Sequence, residues 1–356
     1  MQTLSTLAGV QVRRAAAFPE KFADNPVRSI ALDTLQRRNA AIDAAFYDVG
    51  AITPEETPRL AFWLAREGAI VLVPPSGQGA LQVFLEPEAF FAAGVPVAAL
   101  AVAGVGSSAL GAAAFARNVA DVLEAPVAAV VSGYGLADVM TEALGGYFWF
   151  GTLNSIRHLF EPLDAATKLF TRSEHAAELS SGAVWARTSK DTRTVVALLS
   201  DPRFQPALLI GHSKGNLVIS EALYALATDP DQEALTAALA RRLRIVTVSA
   251  KIGMPPPFRQ VLDVIGQWDW FGALNSRPDL EADYTVPRAW HSTNPEFPLG
   301  LGIDVKAALR HVLPMFDRPR PAGKAAVPVF ADLSQRATAA LAAATLHGRA
   351  GAVPTS

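Results

Sequence analysis

The chain has 356 residues, 51% of them apolar and 18% charged, with a formal net charge of −2 and no cysteine. That balance allows a large buried core and excludes a wholly disordered chain, while the near-neutral charge gives no electrostatic case for nucleic acid or an anionic membrane surface. Without cysteine there can be no disulfide, thiolate zinc site or thiol nucleophile, and the composition fits a reducing, cytoplasmic setting.

From Thr3 to about Glu67 the pattern is helical and rather polar, broken at Pro54 and Pro58. Met1 to Arg14 shows no basic start followed by an apolar run, so no signal peptide is expected. Short apolar runs then alternate with helical ones. Strands are expected at Ala69–Val73, Val97–Ala103, Val127–Val131, Ala207–Ile210, Arg244–Ser249 and Gln260–Ile265, and helices at Ala109–Leu123, Leu217–Ala227, Gln232–Arg242 and Val305–Leu313. Most of the strands lack in/out alternation, as strands covered on both faces do. Strands alternating with helices argue for an α/β fold with a mostly parallel sheet flanked by helices.

Three stretches need separate treatment. No charge interrupts Ala89 to Ala116, and about 20 apolar residues suffice to span a bilayer. Gly94, Pro96, Gly104, Gly106 and Gly111 punctuate the stretch, however, and it reads as strand, turn and helix with no transmembrane segment. Leu136 to about Gly182 breaks the strand–helix rhythm and carries Tyr147, Phe148, Trp149 and Phe150 between glycines. These four aromatics suit a lid over an apolar substrate pocket and suit core packing equally. Ala325 to Ala350 is Ala-rich and follows a Pro-rich connection, as a tethered terminal helix would.

The strongest local signal is Leu208-Leu209-Ile210-Gly211-His212-Ser213-Lys214-Gly215-Asn216-Leu217. A short apolar strand ends at Gly211 and a helical pattern starts after Ser213, with G-x-S-x-G between them. Serine at the tip of a sharp strand-to-helix turn exposes Oγ. The flanking glycines remove Cβ atoms that would collide there, and the next N–H, from Lys214, faces a developing oxyanion near the helix N-terminus. His212, as the x of the box, should point away from the reaction.

Through this G-H-S-x-G box the sequence resembles the α/β-hydrolase superfamily and its lipase-like serine esterase branch, over roughly Ala69 to Leu313. The resemblance implies a nucleophile–acid–histidine order along the chain. Of the histidines after Ser213, His291 lies in a polar, turn-rich loop and is the expected base. His311 sits in a helical run and His347 in the tail. For the acid, Asp263 lies inside a strand, whereas Asp269 lies just past its carboxyl end in Gly266-Gln267-Trp268-Asp269, similar to a lipase-like G-x-x-D context; Asp279 and Asp283 are rivals. Asn216 departs from the second glycine many lipases carry after the box. Lys214 stands where an apolar residue is common, and its side chain is expected to face solvent or substrate.

Two loops compete to supply the second oxyanion N–H. Ser132-Gly133-Tyr134-Gly135 is similar to the H-G-x-G loop of esterases and is preferred, and Gly104-Val105-Gly106-Ser107-Ser108 is the alternative. The second loop also approaches the dinucleotide fingerprint G-x-G-x-x-G/A. The next strand, however, ends in Val130-Val131-Ser132-Gly133 without the acid that would hold a ribose, so no cofactor is expected. No H-E-x-x-H or other metal pattern occurs.

The expected organisation is a helical N-terminal extension over residues 1–67, a catalytic α/β domain over 68–320 with a lid-like insertion at about 136–182, and an Ala-rich tail over 321–356. The expected activity is hydrolysis of carboxylic esters with an apolar acyl part, small or polymeric, through an acyl-enzyme on Ser213. Acyl transfer by the same residues, or non-catalytic binding to a lipid or polyester surface, are the alternatives.

Overall fold

In the computed structural model, residues 43–61, 67–104, 107–132, 190–277 and 280–318 are described. The lid-like insertion, the Ala-rich tail and the first part of the N-terminal extension lie outside them. The chain divides into two units, Met1–Phe316 and Asp317–Ser356, and the sheet with its flanking helices belongs to the first.

In chain order the elements are α1 (Thr57–Ala61), β1 (Ile70–Val73), β2 (Gln82–Phe84), α2 (Pro87–Ala92), β3 (Ala99–Val102), α3 (Ala109–Leu123), β4 (Val127–Val130), α4 (Lys190–Ser200), β5 (Leu208–His212), α5 (Lys214–Thr228), α6 (Glu233–Arg242), β6 (Arg244–Val248), β7 (Val261–Gly266), α7 (Trp270–Leu274), β8 (Tyr284–Val286) and α8 (Val305–Val312). All six strands expected from the sequence are present. The stretch from Ala89 to Ala116 is shared among α2, β3 and α3, and among the described residues no helix is long and apolar enough to cross a membrane.

The eight strands form one sheet in the order β2-β1-β4-β3-β5-β6-β7-β8. β1 runs antiparallel to both its neighbours, and the six strands from β4 to β8 are parallel. The central strands feed two cores by their period of two. Val71, Val73, Ala99, Ala101, Val127, Ala129, Leu208 and Ile210 join α3 and α8 on one face. Ile70, Leu72, Leu100, Val102, Ala128, Val130 and Leu209 join α4, α5 and α6 on the other. Full coverage of both faces explains the unbroken apolar runs. On the α3 face, alanines meet alanines: Ala99, Ala101 and Ala129 lie in one cluster with Ala112, Ala113 and Ala116, so the helix can lie close to the sheet. Ser108 caps α3 by accepting from Leu110 N–H at 3.1 Å.

Two features of this topology position the site. The chain leaves β3 through α3 to reach β4 on one side, and leaves β5 through α5 to reach β6 on the other. β3 and β5 are themselves neighbours, with Val102 opposite Gly211. In an open α/β sheet, the crevice outside the carboxyl ends of such a strand pair is where ligands bind. The second feature is the segment at Asp43–Tyr47, well before β1, which reaches this same end of the sheet. Tyr47 forms a parallel bridge with Thr293 in the loop after β8.

Candidate active site

At the end of β5 the backbone turns sharply. Ser213 has φ 51° and ψ −120°, and α5 begins at the next residue. A non-glycine residue there costs on the order of 1–3 kcal/mol and persists only where its surroundings enforce it. Here Ser213 N–H donates to Val248 O at 2.9 Å, and Asn216 N–H donates to Ser213 O at 3.1 Å. Both glycines of the box are required by close approach. A Cβ on Gly211 would lie 2.7 Å from Asn216 N, and one on Gly215 would lie 2.7 Å from the Val102 carbonyl carbon and closer still to its oxygen. The space left by Gly211 also receives the Asn216 side chain, whose Nδ2 donates to Val248 O (2.9 Å) and Ala250 O (3.1 Å). The departure from a second glycine thus becomes a tie between α5 and the end of β6.

Ser213, Asp269 and His291 come from the loops after β5, β7 and β8, and the fold brings them together. Ser213 Oγ lies 3.0 Å from His291 Nε2, and His291 Nδ1 lies 2.9 and 3.0 Å from Asp269 Oδ1 and Oδ2. An ionised carboxylate only accepts, so Nδ1 carries the proton and Nε2 is left to accept from the serine hydroxyl. Asp269 is itself fixed as the N-cap of α7, accepting from Gly272 N–H at 2.6 Å. Asp269 and His291 are each 2% exposed. The Phe271 ring stands edge-on to the His291 ring at 4.7 Å, with Phe46 and Trp290 at 6.0 and 6.2 Å.

The rival residues lie elsewhere. Asp263 is in β7, where Thr247 Oγ1 donates to it, and Asp283 accepts from Asp263 N–H at 2.9 Å. His311 lies on α8 and stacks on Tyr284. Asp279 and His347 lie outside the described residues, as do Gly106, Gly133, Tyr134, Tyr147, Phe148, Trp149 and Phe150. Ser107 is buried, its hydroxyl 3.2 Å from that of Ser132, which lies 2.8 Å from Gly104 O.

Lys214 requires a correction, since its side chain does not face solvent. It is 5% exposed, with Nζ 3.7 Å from Asp191 Oδ2 on α4. The cause is packing: α5 lies against α4, and the buried Asp191 carboxylate meets the ammonium there. Glu67 lies near the same pair, its carboxyl pushed up by burial and then by the Asp191 charge, against opposing pulls from the Lys190 N–H and Lys214.

Asp43, Tyr47 and His212 carry connections that the sequence does not reveal. Asp43 takes the N-terminus of α3, accepting from Ser108 N–H at 3.0 Å and from the Ser108 hydroxyl. The place where a phosphate would sit in the dinucleotide reading is thus filled by the chain's own carboxylate. Tyr47 Oη accepts from Gly104 N–H (2.6 Å) and lies 3.0 Å from His212 Nδ1, while His212 Nε2 lies 2.9 Å from His291 O. A carbonyl only accepts, so His212 is protonated at Nε2 and takes the Tyr47 proton at Nδ1. Burial, with the adjacent His291 ring adding to it, pushes the His212 imidazole down to about 3 from its ordinary 6.5.

A depressed folded-state pKa of this kind ties stability to pH. The unfolded chain takes up a proton near pH 6.5 and the folded one does not, so this contribution is complete above that value and is lost as pH falls toward 3. Its slope is about 1.4 kcal/mol per pH unit. In denaturant titrations between pH 7 and 4, His212→Gln should lose stability less steeply than wild type by about one proton. Parallel curves would refute the buried neutral imidazole.

Among the described residues no three His, Asp or Glu side chains gather as a metal site would require. Compared with known proteins, the chain matches no protein-family model, no curated protein and no solved structure.

Proposed function

We propose that the chain is a serine ester hydrolase of the α/β-hydrolase kind, with Ser213 as nucleophile, His291 as general base and Asp269 as the acid that orients it. The observation that carries this reading is the continuous hydrogen-bonded line from Ser213 through His291 to Asp269, with the serine on a strained elbow at the switch point of the sheet. The order serine, acid, histidine along the chain agrees with it.

In this mechanism His291 Nε2 takes the proton from Ser213 Oγ as the oxygen attacks an ester carbonyl, then returns it to the leaving alkoxide. Water activated by the same nitrogen releases the acyl group. Asp269 holds the tautomer and offsets the imidazolium charge. Lys214 N–H, at the first position of α5, is the first oxyanion donor, and the helix N-terminus favours the negative charge. For the second donor, strand adjacency favours the loop carrying Gly106 and Ser107 over the one carrying Gly133 and Tyr134. The former follows β3, the neighbour of β5, and a Cβ on Gly104 would stand 3.1 Å from that of Ser213. The latter follows β4, one strand further out. Phe271, Trp290 and Phe46 around His291 support an ester with an apolar acyl or alkyl part.

The direct test is a fluorophosphonate probe on the purified full chain. Covalent labelling should map to Ser213 and disappear in Ser213→Ala. A chain that stays unlabelled, or is labelled elsewhere, would remove the reading.

A further inference from the structure

Between the nucleophile elbow and the base lies a second histidine with no part in the proposed chemistry, and it belongs to a hydrogen-bonded line of its own. Gly104 N–H donates to Tyr47 Oη (2.6 Å), Tyr47 Oη–H donates to His212 Nδ1 (3.0 Å), and His212 Nε2–H donates to His291 O (2.9 Å). Tyr47 and His212 are each 1% exposed. The line begins on the loop after β3, passes the residue before Ser213 and ends on the backbone of the base. It therefore joins the two loops that must stand on opposite sides of the reacting carbon.

The segment carrying Tyr47 is built into the same loops. Ala44 O accepts from Asn294 Nδ2 (2.8 Å), Ala45 O from Ser292 Oγ (2.7 Å), and Phe46 O from both Thr293 N–H (2.8 Å) and Thr293 Oγ1 (2.7 Å). Three consecutive carbonyls of residues 44–46 thus hold three consecutive residues after His291. Gly111 gives this segment room on α3, since a Cβ there would lie 2.8 Å from both the Asp43 carboxyl carbon and the Tyr47 ring.

We infer that residues 43–47 form a strap whose Tyr47–His212 pair positions the base, holding the His291 backbone and the loop at Gly104 in register with Ser213. The pair acts through direction rather than charge. Tyr47 Oη must accept from Gly104, so its proton goes to His212 Nδ1. The resulting tautomer presents Nε2–H to His291 O at 2.9 Å, the shorter of two bonds to that carbonyl, the other coming from Ser249 Oγ at 3.4 Å. Without the tyrosine hydroxyl, His212 is free to carry its proton on Nδ1, which would set two acceptors, Nε2 and the His291 carbonyl, against each other. A shift of the base by about 1 Å costs on the order of 10²-fold in rate. Tyr47 and His212 are positioning residues and touch no substrate.

The inference rests on the hydrolase reading for its rate readout, not for its geometry, and the experiment keeps the two apart. Full-length wild type, Tyr47→Phe, His212→Gln and His212→Met are compared by fluorophosphonate labelling rate, p-nitrophenyl acetate turnover and thermal midpoint. The low-field proton resonance of the His291 Nδ1–H···Asp269 hydrogen bond is recorded in each. Tyr47→Phe should label and turn over ~10–100-fold more slowly, through kcat with KM nearly constant, and with a displaced or broadened low-field proton. His212→Met, which fills the space without a donor, should fall as far. His212→Gln, which keeps a donor toward His291 O, should fall several-fold less, whatever the order of their thermal midpoints.

Labelling of Tyr47→Phe within twofold of wild type would overturn the inference, and so would equal losses in the Gln and Met variants. If Tyr47→Phe does not fold, the Gln–Met comparison decides. If wild type is unreactive but the low-field proton moves in Tyr47→Phe, the hydrolase reading fails and the strap stands; if that proton is also unchanged, both fail.

Discussion

Ser213→Ala should lower turnover of an activated ester such as p-nitrophenyl acetate by about 10⁴–10⁶-fold while leaving the thermal midpoint close to wild type. What remains above the uncatalysed rate, on the order of 10³-fold, would come from the oxyanion donors and from binding. Asp269→Asn separates orientation from nucleophilicity. The amide can offer a donor where His291 Nδ1–H needs an acceptor, so the histidine is driven to the wrong tautomer and the loss should approach ~10⁴-fold at neutral pH. Asp269 also caps α7 through Gly272 N–H, so a midpoint measured beside the rate shows how much of the change is structural. Wild-type-like turnover in Ser213→Ala would end the serine hydrolase reading outright.

Gly215→Ala should disturb the fold directly beneath Ser213, because the methyl group it adds would run into the backbone at the end of β3. The new Cβ would lie 2.7 Å from the Val102 carbonyl carbon and 2.9 Å from Ala103 O. Both are backbone atoms at the carboxyl end of β3 and cannot rotate away. Relief requires lifting the start of α5 off β3, which drags Ser213 with it. A destabilisation of about 3 kcal/mol or more is expected, roughly 4–5 °C or more in thermal midpoint for a unit of this size, together with loss of fluorophosphonate labelling. Gly50→Ala is the control: its Cβ would meet nothing nearer than Asp48 Oδ1 at 3.5 Å, and it should be nearly silent. A Gly215→Ala protein as stable and reactive as that control would mean the close contact of α5 with β3 is not as described.

The sheet is legible in the sequence where strands are covered on both faces. Runs such as Ile70–Val73 and Leu208–Ile210 have no polar face to blur, and α3 is legible at its start because Ser108 caps it. β2 and β8 escape sequence reasoning because each is a three-residue edge strand, half-exposed, too short to show a period. α4 escapes it too, although Asp191, Thr194, Val195 and Leu198 recur at helical spacing. Its first turns are polar and β-branched, and buried Asp191 and Thr192 look like surface residues until Lys214 is placed beside them.

At the site, the turn around Ser213 leaves a mark in sequence by itself, while Asp269 and His291 stand out from their rivals through a strand end, a polar loop and the order that the resemblance to lipase-like enzymes implies. Tyr47 and Asp43 leave none. Their partners are set by the path of the backbone, and a tyrosine in a polar stretch is ordinary. Lys214 misleads for the same reason: a lysine reads as exposed when the carboxylate that receives it lies on an element the sequence does not announce.

The strap also bears on the order in which the molecule comes together. The bonds from Ala45 and Phe46 to Ser292 and Thr293 join residues 247 apart in the chain. Closing a loop of that length costs about 5 kcal/mol in entropy before any contact rewards it. The ends become neighbours cheaply only after the intervening strands and helices have already folded the chain back on itself. Docking of residues 43–47 is thus expected late in folding, and a chain arrested just before it would hold its sheet while His291 was not yet seated. On the hydrolase reading, gain of fluorophosphonate labelling at Ser213 during refolding should therefore trail the recovery of the sheet, and labelling that returns together with it would refute the late docking.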